Sequence, residues 1–235
     1  MRLMAAIVIG SFGIAGCNSM QISPTAVDFG DSTSKAYASY ARLDLYGNVD
    51  LRHDPYDQGD IVPSDRSSYI SAEISYGNNN GYSSTLLLGM EQRLVDKVWF
   101  NVLAFNSGYH DIQHSPSKPI GTAMISQSVY RNNLEAIAQL AEQHAGIVIW
   151  VDTPDLEAAE VPVGTDVADQ VNVPIYNGIA RDVAREHGFY MLSMPGTDHD
   201  GTVHFTAEGY RILGQRLADC VLTALNGAGT SACHK

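Results

Sequence analysis

Basic residues and cysteines are both scarce in this sequence. It contains 14 Lys and Arg against 26 Asp and Glu, so the formal net charge of its 235 residues is −12. Because proteins bind nucleic acid largely by replacing its counterions with Lys and Arg, this balance excludes a nucleic-acid backbone binder. Three cysteines are too few for the disulfide framework of a small secreted scaffold, and their spacing is not that of a zinc ribbon. What the chain does contain is 45% apolar residues, which is typical of a globular domain with its own core.

An apolar run long enough to cross a membrane is also missing from the N-terminus. Residues 3–14 are apolar or small, but a spanning helix needs about 20 such residues. Following a single Arg, this run predicts the apolar region of a secretory signal peptide. It ends in Ile14-Ala15-Gly16-Cys17, which resembles the lipobox of bacterial lipoproteins, whose Cys becomes the acylated first residue. A plain signal peptide with a coincidental Cys is the alternative.

These features divide the chain into four parts. Residues 1–16 are predicted to be a lipoprotein-type signal peptide and residues 17–25 a tether, with Cys17 as the lipidation site. A single domain is expected over residues 26–226, followed by a C-terminal tail at residues 227–235. Because two or more acyl chains anchor a protein stably, we expect a lipid-anchored protein of the bacterial cell envelope, in the periplasm or at the outer membrane. Without acylation of Cys17 the protein would be secreted.

The other cysteines and several histidines carry weaker signals. Cys220 lies on the predicted last helix and Cys233 in a short tail rich in small residues. An oxidising compartment permits a disulfide between them, but the separation of their Cα atoms decides it, so a disulfide and two free thiols are both open. Solvent-exposed positions are expected for four histidines outside any motif, His53, His144, His187 and His234.

Strand-like segments recur through the predicted domain. Residues 98–105 and 146–151 are near-continuous apolar runs that end in turn-forming residues, as strands buried on both faces do. Residues 26–29 and 189–192 are shorter candidates. Residues 54–68 and the acidic residues 155–170 lack periodicity, so both are predicted to be surface loops.

Helical periodicity lies between the strand candidates. Thr206 is expected to cap the last helix, and Asn226-Gly227 to end it. Three apolar helix faces are formed by Leu134, Ile137, Ala138 and Ala141, by Ile175, Ile179 and Val183, and by Leu213, Leu217 and Val221. Because alternating strands and helices need crossover connections, the sequence predicts a three-layer α/β/α domain with a mainly parallel sheet.

Polar motifs stand at the predicted carboxyl ends of the strands, where open parallel sheets bind ligands. A Ser at a strand-to-helix turn presents its hydroxyl at a helix N-terminus, which favours developing negative charge. An Asp close to a His can orient the imidazole so that its other nitrogen takes a proton. Together these parts are typical of an acyl-transfer site. The four motifs are Gly30-Asp31-Ser32, residues 78–84 with Gly81, Asn106-Ser107-Gly108-Tyr109-His110-Asp111, and Asp198-His199-Asp200-Gly201-Thr202-Val203-His204.

The order of these motifs resembles that of the SGNH/GDSL hydrolase superfamily. Gly30-Asp31-Ser32 is similar to its first block, Gly81 to the Gly of its second, Gly108-Tyr109-His110-Asp111 to its third, and residues 200–204 to its last. The similarity extends from about residue 26 to about residue 222, nearly the whole predicted domain. It implies the SGNH hydrolase fold with a flavodoxin-like sheet, and it implies no cofactor.

The resemblance also implies roles for individual residues. Ser32 is the nucleophile, His204 its base, and Asp200 the carboxylate that orients His204. The backbone N–H groups of Ser32 and Gly81 belong to the oxyanion hole. The implied activity is hydrolysis of short-chain esters such as acetyl esters, with a small ester or an acylated carbohydrate as substrate.

Two positions depart from the family pattern. The third block usually carries an Asn that donates to the oxyanion, whereas this chain has His110 there, so His110 or the nearby Asn106 is the third donor. The last block usually carries its Asp three residues before the His, where this chain has Gly201. Asp200 is one residue further from His204 than that position, and Asp198 is the alternative carboxylate.

Other functions remain open at this level. One alternative is an envelope polysaccharide acyltransferase, or a non-catalytic carbohydrate-binding lipoprotein, on the same fold. Another is a metallohydrolase, because His110 and His114 are four residues apart and residues 198–204 contain further His and Asp side chains. Pro116 and Pro119 argue against the helix that would align the first two. We expect no metal and no nucleic-acid partner, and the sequence carries no signal for an oligomeric state.

Overall fold

Strands and helices alternate along the chain. The computed structural model describes residues 23–53, 82–94, 98–113, 122–154, 170–196, 198–200 and 204–235. The predicted signal peptide, Cys17 and both predicted loops, except Gln170, lie outside these residues. The strands are β1 (Thr25–Phe29), β2 (Asp50–His53), β3 (Phe100–Phe105), β4 (Ala145–Val151), β5 (Tyr190–Leu192) and β6 (Cys233–His234). The helices are α1 (Ser32–Leu45), α2 (Ser83–Arg93), α3 (Tyr109–Ile112), α4 (Gln127–His144), α5 (Val173–Glu186) and α6 (Ala207–Leu225).

Five parallel strands and one antiparallel strand form a single sheet in the order β2-β1-β3-β4-β5-β6. The chain runs from β1 outward to β2, crosses back to β3 and continues to β5, as in flavodoxin-like sheets. The predicted fold class is therefore confirmed. β2 and β6 have no counterpart in the sequence prediction, because Asp50-Leu51-Arg52-His53 is mostly polar and β6 has only two residues.

Each face of the sheet is covered by helices, and the side chains between them form two apolar cores. On one face, Phe105 and Trp150 pack with side chains of α2, α4 and α5. On the other face, Ala104 and Ile149 pack with side chains of α1 and α6. Because successive side chains of a strand point to opposite faces, burial of both faces explains the unbroken apolar runs of β3 and β4.

The predicted apolar faces of α4 and α6 are buried, whereas the face predicted for α5 is displaced. Ile175 is 43% exposed, and Tyr176 and Ala180 are buried with Val183 instead. The Tyr176 ring lies 4.8 Å from the Tyr130 ring of α4, centroid to centroid, so an aromatic contact decides the orientation. In the described part of the chain, no helix is both long and apolar enough to cross a membrane.

Helices α1 and α6 pack side by side on one face of the sheet. A Cβ added to Gly214 of α6 would lie 2.6 Å from the carbonyl oxygen of Tyr37 and 2.9 Å from the nitrogen of Ala41, so the close approach requires Gly. Thr206 is the N-cap of α6, as predicted, and its side chain accepts from the Gly209 N–H at 3.2 Å. Both helices begin at the carboxyl edge of the sheet, so the residues before α6 lie next to the start of α1.

The C-terminal residues belong to the sheet. Cys220 of α6 and Cys233 of β6 form a disulfide, and β6 pairs antiparallel with β5. Gly227, with a φ of +66°, turns the chain at the end of α6 in the left-handed conformation that favours glycine. The segment predicted to be a tail, residues 227–235, therefore supplies an edge strand.

The prediction of exposed histidines is wrong for His53, which is buried, and for His144 and His187, which are half-buried. His53 is 3% exposed at the end of β2. His187, directly after α5, lies between two carboxylates of α4, with Nε2 3.0 Å from Glu135 and Nδ1 3.1 Å from Glu142. Both ring nitrogens can donate only in the imidazolium form. Burial lowers the pKa of His187, but the bonds to Glu135 and Glu142 outweigh it and raise the pKa above 6.5.

This cluster predicts a pH-dependent contribution to stability. A raised pKa in the folded state means that the contribution is complete below the unfolded pKa and is lost as the pH rises through the folded pKa. We expect His187→Gln to lower the free energy of unfolding at about pH 6 by up to about 1 kcal/mol, and by less at about pH 9. Urea titrations at the two pH values measure the difference. A loss that is larger at the alkaline pH would contradict the assignment.

Candidate active site

Asp31 caps α1 and places Ser32 at the first position of the helix. Its Oδ1 accepts from the N–H groups of Thr33 at 2.9 Å and Ser34 at 3.1 Å. Burial raises the pKa of the Asp31 carboxyl, and the charge of His110 is the strongest influence in the opposite direction. Ser32 is exposed, and its N–H is one of the first-turn groups that have no acceptor within a helix.

Ser32 and His204 meet across the start of the two packed helices. Ser32 Oγ lies 3.0 Å from His204 Nε2, although the residues are 172 positions apart. The distance is that of a hydrogen bond. The hydroxyl donates when the imidazole is neutral and carries its proton on Nδ1, because Nε2 is then an acceptor. The structure thus brings together the two residues that the motifs pair only by resemblance.

A tight hairpin of backbone hydrogen bonds holds His204 in place. The Thr206 N–H donates to the carbonyl oxygen of Asp198 at 2.8 Å, and the Asp200 N–H donates to that of His204 at 3.1 Å. Gly201 lies outside the described residues. Asp200 is therefore directly across from His204, whereas Asp198 is across from Thr206.

Aromatic contacts fasten the hairpin to α6. The rings of His199 and Phe205 lie 4.2 Å apart, and those of Phe205 and Tyr210 lie 5.6 Å apart, between centroids. His199 Nδ1 also lies 3.2 Å from the carbonyl oxygen of His204, so this histidine supports the His204 backbone from within the fold. His199 is buried among these contacts.

The exit of β3 is fixed by the Asn106 backbone and side chain. Its N–H donates to the Phe29 carbonyl oxygen, and its Nδ2 donates to the Val151 carbonyl oxygen, both at 2.9 Å. Asn106 thus joins the ends of β1, β3 and β4. Asn106 is buried, and one of the two N–H groups of its amide is engaged with the backbone at Val151.

Asp111 ties the β3 exit to the start of α2, a role that the sequence analysis does not assign. Its carboxylate accepts from the Ser83 N–H at 3.0 Å, the Ser83 hydroxyl at 2.5 Å and the Ser107 hydroxyl at 3.0 Å. Burial raises the pKa of Asp111 to about 6, although the bonds from Ser83 and Ser107 act in the opposite direction. The only signal in the sequence is the presence of an Asp within the third motif.

His110 lies where three of the motifs converge. Its ring contacts the ring of Tyr82 edge-on, with centroids 5.7 Å apart, and its charge acts on Asp31. Tyr82 is the N-cap of α2 and directly follows Gly81, which lies outside the described residues. The segment after Gly81, the third motif and the residue before Ser32 therefore surround one place at the carboxyl edge of the sheet.

The metal alternative has little in the described residues to support it. Among them, no group of three or more His, Cys, Asp or Glu side chains could hold a metal ion. His114, which the alternative pairs with His110, lies outside the described residues.

The chain is similar to known proteins in structure but not in sequence. No protein-family model matches the sequence, and no curated protein does either. Among solved structures, an α/β hydrolase from the metagenome of Lake Arreo, Spain, is similar with a TM-score of 0.60 and 14% identity, over 90% of this chain and 100% of that one.

Two further solved structures are similar to this chain. The acetyl xylan esterase AlAXEase is similar with a TM-score of 0.59 and 17% identity, over 84% of this chain and 99% of that one. A GDSL-like lipase from Bacteroides thetaiotaomicron is similar with a TM-score of 0.56 and 15% identity, over 86% and 89%. The chain therefore has the SGNH/GDSL hydrolase fold that its motifs predict.

Replacement of Asp111 tests the anchor at the start of α2. Asp111→Ala removes the buried acceptor of one N–H and two hydroxyl groups, so we expect the free energy of unfolding to fall by about 1–3 kcal/mol. Asp111→Asn keeps an acceptor for the Ser83 N–H and is expected to lose less. Urea unfolding of both variants is the measurement, and equal losses would contradict the anchoring role.

Proposed function

We propose that this protein is a serine esterase that hydrolyses short-chain esters. The observation that carries the proposal is the 3.0 Å contact between Ser32 Oγ and His204 Nε2. It lies at the carboxyl edge of the sheet, near the point between β1 and β3 where the strand order reverses and where ligands bind in open α/β sheets. An exposed hydroxyl bonded to an imidazole is the arrangement of an activated nucleophile.

The proposed reaction proceeds through an acyl-enzyme. His204 Nε2 takes the proton of Ser32 as Oγ attacks the ester carbonyl carbon, and the protonated imidazole then gives that proton to the leaving alcohol. Water attacks the acyl-Ser32 ester, with His204 again as base, and releases the carboxylic acid. Asp200, across the hairpin from His204, orients the imidazole and stabilises its positive form.

Three donors are proposed to hold the oxyanion. The Ser32 N–H points from the first turn of α1, where the helix dipole favours negative charge. The Gly81 N–H precedes Tyr82, whose ring contacts His110. His110 supplies the third N–H in place of the usual Asn, and the engagement of Asn106 with Val151 supports this choice.

Short acyl groups on carbohydrate are the proposed substrate class. The acetyl xylan esterase AlAXEase has this fold, and fold alone leaves the substrate of the present chain as a proposal. The disulfide between Cys220 and Cys233 supports an oxidising compartment. Such a compartment agrees with the proposed export of the protein and its proposed lipidation at Cys17. We propose that the protein lies in the cell envelope, where its substrate would be an acylated polysaccharide.

The nucleophile is tested by Ser32→Ala. We expect p-nitrophenyl acetate hydrolysis to fall by about 10³-fold or more, because the acyl-enzyme cannot form, while the far-ultraviolet circular dichroism stays unchanged. A fluorophosphonate should label the parent protein and not the variant. Undiminished hydrolysis by the variant, or activity that EDTA removes and zinc restores, would contradict the serine mechanism. Acetyl transfer to a sugar acceptor that exceeds hydrolysis would instead indicate an acyltransferase.

The third oxyanion donor is tested by His110 variants. Loss of one such donor costs on the order of 10²–10³ in rate, so we expect His110→Ala to lower kcat by that factor. His110→Asn replaces the imidazole with the amide that this block usually carries, and we expect it to retain most of the activity. Steady-state kinetics measure both, and wild-type kcat in His110→Ala would exclude His110 as a donor.

A further inference from the structure

A buried polar cluster lies beneath the first turn of α1. It consists of Asp28 of β1, His53 of β2 and Ser34 of α1, and none of the three is more than 3% exposed. Parallel pairing places Asp28 and His53 side by side in the sheet. Asp28 Oδ2 accepts from the Ser34 hydroxyl at 2.5 Å and lies 3.1 Å from His53 Nδ1.

Stability alone does not account for this cluster. Removal of a carboxylate and an imidazole from water is costly, and apolar replacements for a buried charged pair are often neutral or stabilising. β1 otherwise buries apolar side chains over Ala26, Val27 and Phe29, so Asp28 is the polar exception in its buried part. Directed hydrogen bonds between Asp28 and its neighbours explain this buried carboxylate better than packing does.

Ser34 connects the cluster to the proposed nucleophile. Its hydroxyl donates to Asp28, and its backbone N–H donates to Asp31. The first turn of α1, which begins with Ser32, is thus held by one carboxylate from the sheet and one from the cap. Gly30 reinforces this placement, because a Cβ there would collide with the Ser34 side chain.

We propose that Asp28 and His53 are positioning residues that act through Ser34 to hold Ser32 Oγ at its distance from His204. The inference rests on the proposed function, since it concerns the same nucleophile. His53 orients the Asp28 carboxylate, the carboxylate fixes Ser34, and Ser34 fixes the helical turn that carries Ser32. A displacement of about 1 Å at a reacting group can cost about 10²-fold in rate, so the support of this turn affects turnover.

The first test compares two buried serines of the same helix. Ser34→Ala removes the bond to Asp28, and we expect kcat for p-nitrophenyl acetate to fall about tenfold while KM stays within about twofold. Ser39→Ala is the matched control, because the Ser39 hydroxyl is also buried but donates to the Lys35 carbonyl oxygen of α1 itself. We expect its kcat to stay within about twofold of the parent, and thermal unfolding verifies that both variants fold.

The second test uses conservative rescue at His53. His53→Asn keeps an N–H donor near the place of Nδ1, whereas His53→Leu removes it. We expect His53→Asn to retain most of the parent kcat and rate of fluorophosphonate labelling, and His53→Leu to lose about tenfold in both. A merely structural role would lower the melting temperature of both variants without separating their rates.

The outcomes separate this inference from the proposed function. Wild-type kcat in Ser34→Ala, an equal loss in Ser39→Ala, or equal rates in the two His53 variants would overturn the positioning role while Ser32→Ala still abolished activity. Full activity in Ser32→Ala would instead overturn the proposed function, and the positioning role with it.

Discussion

The parallel arrangement of the five strands β1 to β5 is the constraint on which the contacts at the site depend. Because the carboxyl ends of parallel strands meet at one edge, Ser32 after β1, Asn106 after β3 and the hairpin after β5 come together from distant parts of the sequence. The same pairing sets Asp28 beside His53. Close packing of α1 on α6 at Gly214 keeps the two helices that follow Ser32 and His204 side by side.

Three buried carboxylates, Asp28, Asp31 and Asp111, hold segments together at this edge. Asp31 holds the first turn of α1 as its N-cap, Asp28 holds it from the sheet, and Asp111 holds the start of α2 against the exit of β3. A carboxylate can accept several hydrogen bonds at once, so Asp28 joins three segments and Asp111 joins two, whereas Asp31 bonds within its own turn. The cost of burial is visible in the raised pKa of Asp31 and Asp111.

Much of the fold follows from local patterns, and most of the site does not. β3 and β4 are predictable from their apolar sequences, because both faces of a central parallel strand are buried. β2 is not recognisable in the sequence because three of its four side chains are polar. His53 finds its partner, Asp28, only in the folded sheet, so it looks like a surface residue in the sequence. Ser32 and His204 are paired in advance only by their likeness to a family. Asp111 takes its role from Ser83, 28 positions away, a distance at which spacing carries no information.

The disulfide has a consequence for how the protein behaves in concentrated solution. An uncovered strand edge offers its free N–H and C=O groups to other chains, and on this side of the sheet β6 covers β5. A pairing of two residues is weak by itself, but the disulfide between Cys233 and Cys220 holds β6 in place covalently. Reduction of the disulfide would leave only this two-residue pairing to hold β6 against the edge of β5.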